Sequence, residues 1–341
     1  MSKIRLLALA SVFASFVVSA QTFTIAENFT SDPLTNGWQS FGNTNLFQWV
    51  ATNQDLAVTW DSTQTNSYFY HPLNYAVTAN DDFSVAFDLK LADIASDTEA
   101  GKTGPMPIGF EFVSLAVVTN TGYSRTSYGN TPNIAGWDYY TDGYFVYGDV
   151  TYPSPAATVP SFVSGTDSFD YAPQTIAVYN NELPTNQTIH VSFAYTASNQ
   201  TAVITMTTNG VPVATLPGLT LNSPNGFTDT DYNFSVDTFL IGSFSSYGDD
   251  YDSVLAHGTV ANLVVSIPPP AQNLSCLFTN GTCAVQFNNH LDWVYTLQRT
   301  ADFVSWQNVS DATAGNGTNL VLTDSSAPTA AAYYRVSASR P

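Results

Sequence analysis

The sequence predicts an all-β protein: a two-sheet antiparallel sandwich of jelly-roll type, followed by a small second β-sandwich. Three observations predict it. The 341 residues are 14% aromatic and only 10% charged, a composition that suits strands and turns. Apolar side chains recur at every second position in several segments, and Asn-Gly pairs that favour tight hairpins follow two of them. No segment of the sequence combines helical periodicity with capping residues.

The first twenty residues have the features of a secretory signal peptide. Lys3 and Arg5 precede an apolar run, and the small residues Ser19 and Ala20 follow it, which predicts cleavage after Ala20. The apolar core is shorter than the roughly 20 residues that span a bilayer. We therefore expect residues 1–20 to be removed and the mature protein to be extracellular, without membrane insertion; an uncleaved anchor is the alternative.

Alternating segments predict the strands of the large domain. In residues 83–91 and 189–195 the odd positions are apolar, so each segment buries one face. Residues 202–208 lead into Asn209-Gly210, and an apolar segment resumes after it, as in an antiparallel hairpin. Many such strands with one buried face predict a two-sheet sandwich.

Three consecutive prolines mark the strongest internal boundary. Pro268, Pro269 and Pro270 cannot continue a β-ladder and favour an extended linker. We therefore predict a large domain over 21–267, a linker over 268–270 and a small β module over 271–341.

The charge of the chain excludes some classes of partner. The formal net charge is −19, and two of the eight Lys and Arg side chains lie in the predicted signal peptide. Nucleic acid and anionic lipid require a cationic surface, so neither is expected as a partner. Neutral polymers and cations are the classes of partner that this charge allows.

Two cysteines flank the second Asn-Gly turn. Across Asn280-Gly281, Cys276 and Cys283 fall diagonally on one face of a predicted hairpin. In an exported protein this predicts a local disulfide, which closes a short loop and contributes roughly 2–3 kcal/mol.

Several segments resemble known families. ENFTSDPLTNGW at 27–38, LFQW at 46–49 and SVLAHGTVANLVVS at 253–266 resemble the concanavalin A-like or laminin-G-like sandwich domains of secreted bacterial proteins. The resemblance implies that the last strand returns beside the first. WVYTLQRTADFVSW at 293–306 and AYYRV at 332–336 are similar to a short module that closes many exported bacterial proteins, which implies a small immunoglobulin-like β-sandwich. These families include lectins, adhesion modules, hydrolases and lyases, so the fold does not select a function.

Glu111 is the strongest catalytic candidate. It lies between aromatic residues on a predicted strand, so its carboxylate points away from the apolar face. If the strand of Asp88 is its neighbour, the two carboxylates share one face of a sheet. The alternative is a solvent-facing residue near Lys90. No complete catalytic motif occurs in the sequence, and we expect a noncatalytic protein.

An aromatic cluster is the most suggestive binding feature. Trp137, Tyr139, Tyr140 and Tyr144 accompany Asp138, and sugars stack on aromatic rings while their hydroxyls pair with carboxylates. This predicts a glycan site. The alternative is that the rings fill the core.

A cluster of acidic residues suggests a bound cation. Asp249, Asp250 and Asp252 precede the last predicted strand of the large domain, and a structural calcium ion would relieve their repulsion. The resemblance implies such an ion where the first and last strands meet, near Glu27 and Asp32. A solvated turn is the alternative, and no other cofactor is expected.

The leading hypothesis is a secreted, noncatalytic protein that binds carbohydrate or a cell-surface glycan through its large domain. The first alternative is an extracellular polysaccharide hydrolase or lyase that uses Glu111 with an Asp. The second is a structural surface protein without a ligand. The sequence leaves the oligomeric state and the role of the module open.

Overall fold

The computed structural model describes residues 22–102, 104–118, 134–141, 143–147, 150–154, 157–163, 182–215, 219–220, 234–246, 252–328 and 332–340. Within them the chain is almost entirely β-strand, numbered β1 to β26 in chain order, which confirms the predicted fold class. The chain divides into two compact units, Phe23–Pro268 and Pro269–Pro341.

The helical elements of the described residues are short. They are two 3₁₀ turns and one α-helical turn, at Pro33–Asn36, Thr44–Leu46 and Leu115–Val118. None of them is long and apolar enough to cross a bilayer.

The large unit contains a nine-stranded antiparallel sheet. Its spatial order is β15-β14-β13-β6-β19-β4-β3, with β1 beside β19 and β16 beside β14. The strands are β1 (Phe23–Glu27), β3 (Phe47–Val50), β4 (Asp55–Asp61), β6 (Phe83–Ala95), β13 (Ile189–Thr196), β14 (Thr201–Thr208), β15 (Val211–Thr215), β16 (Leu219–Thr220) and β19 (Leu255–Ile267). The pairing of β1 with β19 brings the first and last strands of this unit together, as the resemblance implies.

A six-stranded antiparallel sheet is the second layer of the large unit. Its order is β12-β9-β8-β17-β5-β2. The strands are β2 (Gln39–Phe41), β5 (Ser67–Thr78), β8 (Ile108–Val113), β9 (Ile134–Tyr140), β12 (Ala157–Val163) and β17 (Ser235–Ser243). The described residues of this unit also form two small pairs of strands. They are β10 (Gly143–Tyr147) with β11 (Val150–Ser154), and β7 (Gly104–Pro105) with β18 (Asp252–Ser253).

Aromatic rings from the two sheets meet in the core between them. Phe87 of β6 stacks on Phe110 of β8 with centroids 3.8 Å apart, and Phe83 meets Phe112 edge to face at 4.9 Å. The odd positions of 83–91 and 189–195 are all buried here, which confirms the predicted strand faces. Each fully buried Phe contributes about 1.5–3 kcal/mol, so these rings fix how the sheets pack.

The predicted hairpin turns are present. Asn209 and Gly210 join β14 to β15 with φ of +52° and +75°, and Asn280 and Gly281 adopt +50° and +77°. Positive φ at both central positions is the type I′ geometry that Asn-Gly favours.

The second unit is a small β-sandwich of two sheets, with the orders β20-β21-β25 and β23-β22-β24; β26 pairs with β22. Its strands are β20 (Ala271–Thr279), β21 (Thr282–Asn289), β22 (Val294–Thr300), β23 (Gln307–Asn308), β24 (Thr313–Ala314), β25 (Asn319–Asp324) and β26 (Tyr333–Ser339). Phe287 and Tyr295 pack between the sheets with centroids 5.2 Å apart.

A buried carboxylate links both sheets of the second unit. Asp324 is 1% exposed and binds the Arg299 guanidinium at 2.6 Å, while the Tyr334 hydroxyl donates to it at 2.9 Å. The other two arginines of this unit lie over indoles, Arg335 over Trp306 and Arg340 over Trp293. The cations of this unit therefore hold its own structure together.

Candidate functional site

The outer face of the six-stranded sheet carries the strongest candidate site. Strand alternation turns Phe110 and Phe112 of β8 into the core and leaves Gly109 and Glu111 on the opposite face. Glu111 is fully buried there, although its sequence context allowed a solvent-facing side chain near Lys90. The structure places Lys90 on β6 of the other sheet, so that alternative is wrong.

Five residues lie directly opposite one another across five strands of this sheet. From β9 to β2 the row consists of Asp138, Gly109, Gly242, Tyr68 and Phe41. The next row contains Glu111, Leu240 and Tyr70. Neighbouring strands are about 4.8 Å apart, so about 14 Å separates Asp138 on β9 from Tyr68 on β5, and the two glycines leave a gap in the side chains between them. We call this gap the glycine trough.

Two carboxylates border the trough. An oxygen of Asp138 lies 3.0 Å, and one of Glu111 lies 3.1 Å, from the position that a Cβ of Gly109 would occupy. The two oxygens are therefore separated by at most the sum of these two distances. Gly136 makes this possible, because a Cβ at this position would lie 2.4 Å from the Phe110 carbonyl oxygen and push β8 and β9 apart.

A ring of the chain itself occupies the trough. Phe244 follows β17, and its Cζ lies 2.5 Å from the position of a Gly242 Cβ, while its Cε2 lies 3.0 Å from that of Gly109. Only glycine at both positions lets the ring lie so close to the sheet. The Phe244 ring therefore fills the trough, and Phe244, Asp138, Glu111 and Tyr68 are all buried.

Tyr68 contributes a buried hydroxyl on the aromatic side. Its side chain is fully buried, and its hydroxyl has no hydrogen-bond partner among the described residues. Burial, and secondarily the negative charge of Glu111, raises the pKa of Tyr68 far above its ordinary value. The phenol therefore stays protonated and can donate a hydrogen bond. Phe41 stacks on Tyr68 with centroids 5.8 Å apart.

Asp88 is not the partner of Glu111, contrary to the sequence expectation. It lies on β6 of the nine-stranded sheet, where it binds Nδ1 of His190 at 2.8 Å and accepts from Asn262 at 2.7 Å. The two residues are on different sheets because β8 pairs with β9 and β17. The structure brings Asp138 to Glu111 instead.

The aromatic cluster divides between the two faces of β9. Trp137 and Tyr139 are fully buried in the core, where Trp137 meets Phe87 at 5.5 Å. We expected their rings at a ligand-binding surface, and this placement corrects that expectation. Asp138 and the half-buried Tyr140 lie on the outer face. Tyr144 belongs to β10, and its side chain lies outside the described residues.

The acidic cluster of the predicted calcium site is only partly described. Asp252 lies in β18, whereas Asp249 and Asp250 lie outside the described residues. In the described part of the chain, no three His, Cys, Asp or Glu side chains are grouped to hold a metal. Calcium stays a prediction.

Glu27 lies away from Asp252, the described member of that cluster. The Glu27 carboxylate accepts hydrogen bonds from the N–H of Phe29 at 2.7 Å and from the Asn36 amide at 3.0 Å. In the β1–β19 ladder, Glu27 is paired with Leu263. The opposite end of β19, at Leu255, is on the order of 25 Å from Leu263 at the rise of a strand, and Asp252 precedes that end in β18. Asp32 caps the first 3₁₀ turn. Glu27 and Asp32 are therefore not beside Asp252, and their proximity to Asp249 and Asp250 stays a prediction.

The two cysteines lie at diagonal positions of the β20–β21 hairpin. Their Sγ atoms are 3.1 Å apart, and both are thiols here, with Cys283 buried and Cys276 exposed. The contact is longer than a disulfide bond of about 2.05 Å. The disulfide stays a prediction.

Sequence reasoning missed Tyr68, Gly109, Gly242 and Phe244. Glycine inside an otherwise apolar strand signals close approach of another group, and both trough glycines have this context. This glycine pattern is visible in the sequence, but the pairing of Gly109 with Gly242 depends on the order of the strands in the sheet.

Comparisons with known proteins add a weak similarity of fold. No protein-family model and no curated protein sequence matches the chain. Among solved structures, the Emp47p carbohydrate recognition domain matches with a TM-score of 0.37 and 11% identity, over 70% of this chain and 95% of that one. Peanut lectin matches at 0.38 and 12%, over 72% and 98%. Lectin II from Ulex europaeus matches at 0.38 and 11%, over 72% and 99%. TM-scores this low carry no argument about the ligand of this chain.

Proposed function

We propose that the large unit binds carbohydrate in the glycine trough. The observation that carries the proposal is the row across the sheet: a carboxylate, two glycines and a phenol lie opposite one another, and a six-membered ring already lies on the glycines. A pyranose ring has a similar size. The apolar faces of a pyranose can pack on the aromatic side of the trough, and its hydroxyls can form hydrogen bonds with the carboxylates and the phenol.

The polar groups of the trough are complementary to hydroxyl groups. Asp138 and Glu111 provide acceptor oxygens on one side, and Tyr68 provides a protonated donor on the other. Hydrogen bonds to charged groups contribute about 1.5–3 kcal/mol each, so the carboxylates dominate the expected affinity. For a sugar to reach the floor, the buried ring of Phe244 must turn away.

A glycan array tests this proposal with the full chain and three variants. Glu111→Gln and Asp138→Asn each remove a trough carboxylate and should abolish the binding shown by the wild type. Asp88→Asn is the matched control, since it removes an outer-face carboxylate from the other sheet and should bind normally. Equal binding by all four proteins would refute the trough as the site. Absence of binding by the wild type would leave a structural surface protein.

Catalysis at the same site is a second candidate, favoured by the short separation of the two carboxylates. Retaining glycosidases hold an acid and a nucleophile about 5–5.5 Å apart. The oxygens of Glu111 and Asp138 are no farther apart than the sum of their distances of 3.1 Å and 3.0 Å from the Gly109 Cβ position. A polysaccharide hydrolase or lyase would release reducing or unsaturated ends. Turnover that is abolished by Glu111→Gln and retained by Asp88→Asn would establish the enzyme.

We also propose that the protein acts outside the cell, since the first twenty residues have the pattern of an export signal. Edman sequencing of protein recovered from the medium should begin at Gln21. Recovery only from the cell interior, with Met1 retained, would contradict this location. The second unit would then act as a spacer or attachment module, in keeping with its resemblance to modules of exported bacterial proteins.

A further inference from the structure

The second unit contains an open groove that the proposed function does not use. The groove has a volume of about 1090 Å³ and lies along β23, β24 and β25. We call it the module groove. Polar side chains and one indole line most of it, among them Trp306, Gln307, Asn308, Asp311, Thr323 and Ser325.

Trp306 is held in a fixed orientation at the groove. The Arg335 guanidinium lies 4.1 Å from the centroid of its ring, and Nε of Arg335 donates to Gln298 at 2.7 Å. Arg335 does not line the groove, so the cation covers a part of the indole that faces elsewhere. The remaining indole surface is a preorganised stacking platform.

Hydrogen-bonding groups around the indole are available to a ligand. The side chains of Gln307, Asp311, Thr323 and Ser325 are exposed and make no hydrogen bond within the described residues. Asn308 uses its carbonyl oxygen to accept from Gln298 at 2.8 Å, which leaves its NH₂ group to donate. Amides and hydroxyls arranged around one ring suit a ligand rich in hydroxyls.

The charges of the groove favour a neutral ligand. Arg299 is the one cation in the lining, and its charge is already neutralised by Asp324 at 2.6 Å. Asp311 adds a negative charge, and the whole chain carries a net charge of −19. An acidic polysaccharide would be repelled. We infer that the module groove binds a neutral polysaccharide, with Trp306 stacking on a sugar ring and its polar neighbours binding the hydroxyls.

Affinity electrophoresis of the full chain tests this inference against a panel of neutral polysaccharides: β-1,3-glucan, xylan, galactomannan and hydroxyethyl cellulose. Trp306→Ala should weaken binding by about tenfold, the effect of losing one stacked ring. Phe303→Ala is the matched control, because Phe303 is an exposed aromatic of the same unit that packs on Tyr333 and does not line the groove. It should bind like the wild type.

A second variant guards against a folding defect in Trp306→Ala. Ser325→Arg places a long side chain on the exposed rim, leaves Trp306 and Arg335 in place, and should also weaken binding while the melting temperature stays unchanged. Loss with both groove variants, but not with Phe303→Ala, supports the inference. Retention of wild-type affinity by both would overturn it.

The trough variants separate this site from the one in the large unit. Glu111→Gln and Asp138→Asn should leave binding at the module groove intact. Binding that disappears with these two variants and survives in both groove variants would overturn this inference while supporting the trough. Binding to no neutral polysaccharide, or only to an extended peptide, would overturn it as well.

Discussion

Gly109 and Gly242 are opposite one another on β8 and β17, and the ring of Phe244 lies over both. This pair makes the trough floor, because any larger residue would fill the space that the ring occupies. Because these two positions are glycines, Phe244 lies in close contact with the sheet. The same two glycines separate the Asp138 carboxylate from the Tyr68 phenol.

Gly242→Ala should destabilise the large unit by about 1–3 kcal/mol, the usual cost of overpacking. The added methyl would lie 2.5 Å from Phe244 Cζ. Urea unfolding of the single variant and of Gly242→Ala with Phe244→Leu measures the coupling. The double variant should lose less stability than the sum of the single variants. Strict additivity would contradict the ring's position.

Phe244→Leu should increase the affinity for a trough ligand, since a smaller and more mobile side chain competes less for the floor. The expected cost in stability is about 1–2 kcal/mol, and it stays below the cost of truncation to alanine. Titration of the variant with a glycan that binds the wild type measures the change. Weaker binding by a variant that remains folded under the conditions of the titration would show that the ring holds the ligand and does not block it.

Tyr68→Phe should leave stability unchanged or raise it by up to about 1 kcal/mol. It removes a buried hydroxyl that has no partner among the described residues. Tyr195→Phe is the matched comparison, because that buried hydroxyl donates to the carbonyl of Ala79 at 2.8 Å, and its loss should cost about 1–2 kcal/mol. Thermal melting of both variants is the measurement. Equal losses would show that Tyr68 has a partner.

The second unit should lose stability in acid through Asp324. Burial alone raises the pKa of this carboxyl, but the Ser326 N–H, the Tyr334 hydroxyl and Arg299 outweigh it and hold the pKa below its ordinary value. Because the pKa of Asp324 is lower in the folded state, its carboxylate stabilises the folded unit at pH values above the unfolded-state pKa near 3.9. This stabilisation is lost as the pH falls through the folded-state pKa.

Melting of the wild type and of Asp324→Asn between pH 7 and pH 3 checks this expectation. The variant should be less stable by about 1–3 kcal/mol at pH 7, and the difference should shrink below pH 4. Asp311→Asn is the control, because that exposed carboxylate makes no hydrogen bond within the described residues, and its melting should follow the wild type. A difference that stays constant with pH would contradict the role of Asp324.

Secreted protein should contain the Cys276–Cys283 disulfide. Their Sγ atoms already lie 3.1 Å apart, so bond formation needs little movement of the hairpin. Intact mass before and after reduction should differ by two hydrogens, and Cys276→Ser should cost about 2–3 kcal/mol. An unchanged mass would show two free thiols.

Strand faces were predictable from the sequence, and strand neighbours were not. Alternation alone placed Phe83 and Phe87 in the core and turned Glu111 away from its flanking phenylalanines. The same rule applies to Asp138: since it points outward, Trp137 and Tyr139 must share the inner face. Both rings fill the core, which is the alternative that the sequence left open beside a surface site.

The partner of Glu111 required information that no local pattern holds. Asp88 and Asp138 are both acidic residues on predicted strands, and only the order β9-β8-β17 brings Asp138 beside Glu111. That order is set by packing between residues far apart in the chain. Tyr68 and Phe244 reach the trough for the same reason.

The proposed site holds a sugar ring between Asp138 and Tyr68 on the glycine floor. Calorimetric titration of the wild type, Asp138→Asn and Asp88→Asn with one glycan identified on the array tests it most directly. Loss of a hydrogen bond to a charged group should weaken the Asp138→Asn variant by at least about tenfold, while Asp88→Asn keeps the wild-type affinity. Equal affinities for all three proteins would contradict the claim.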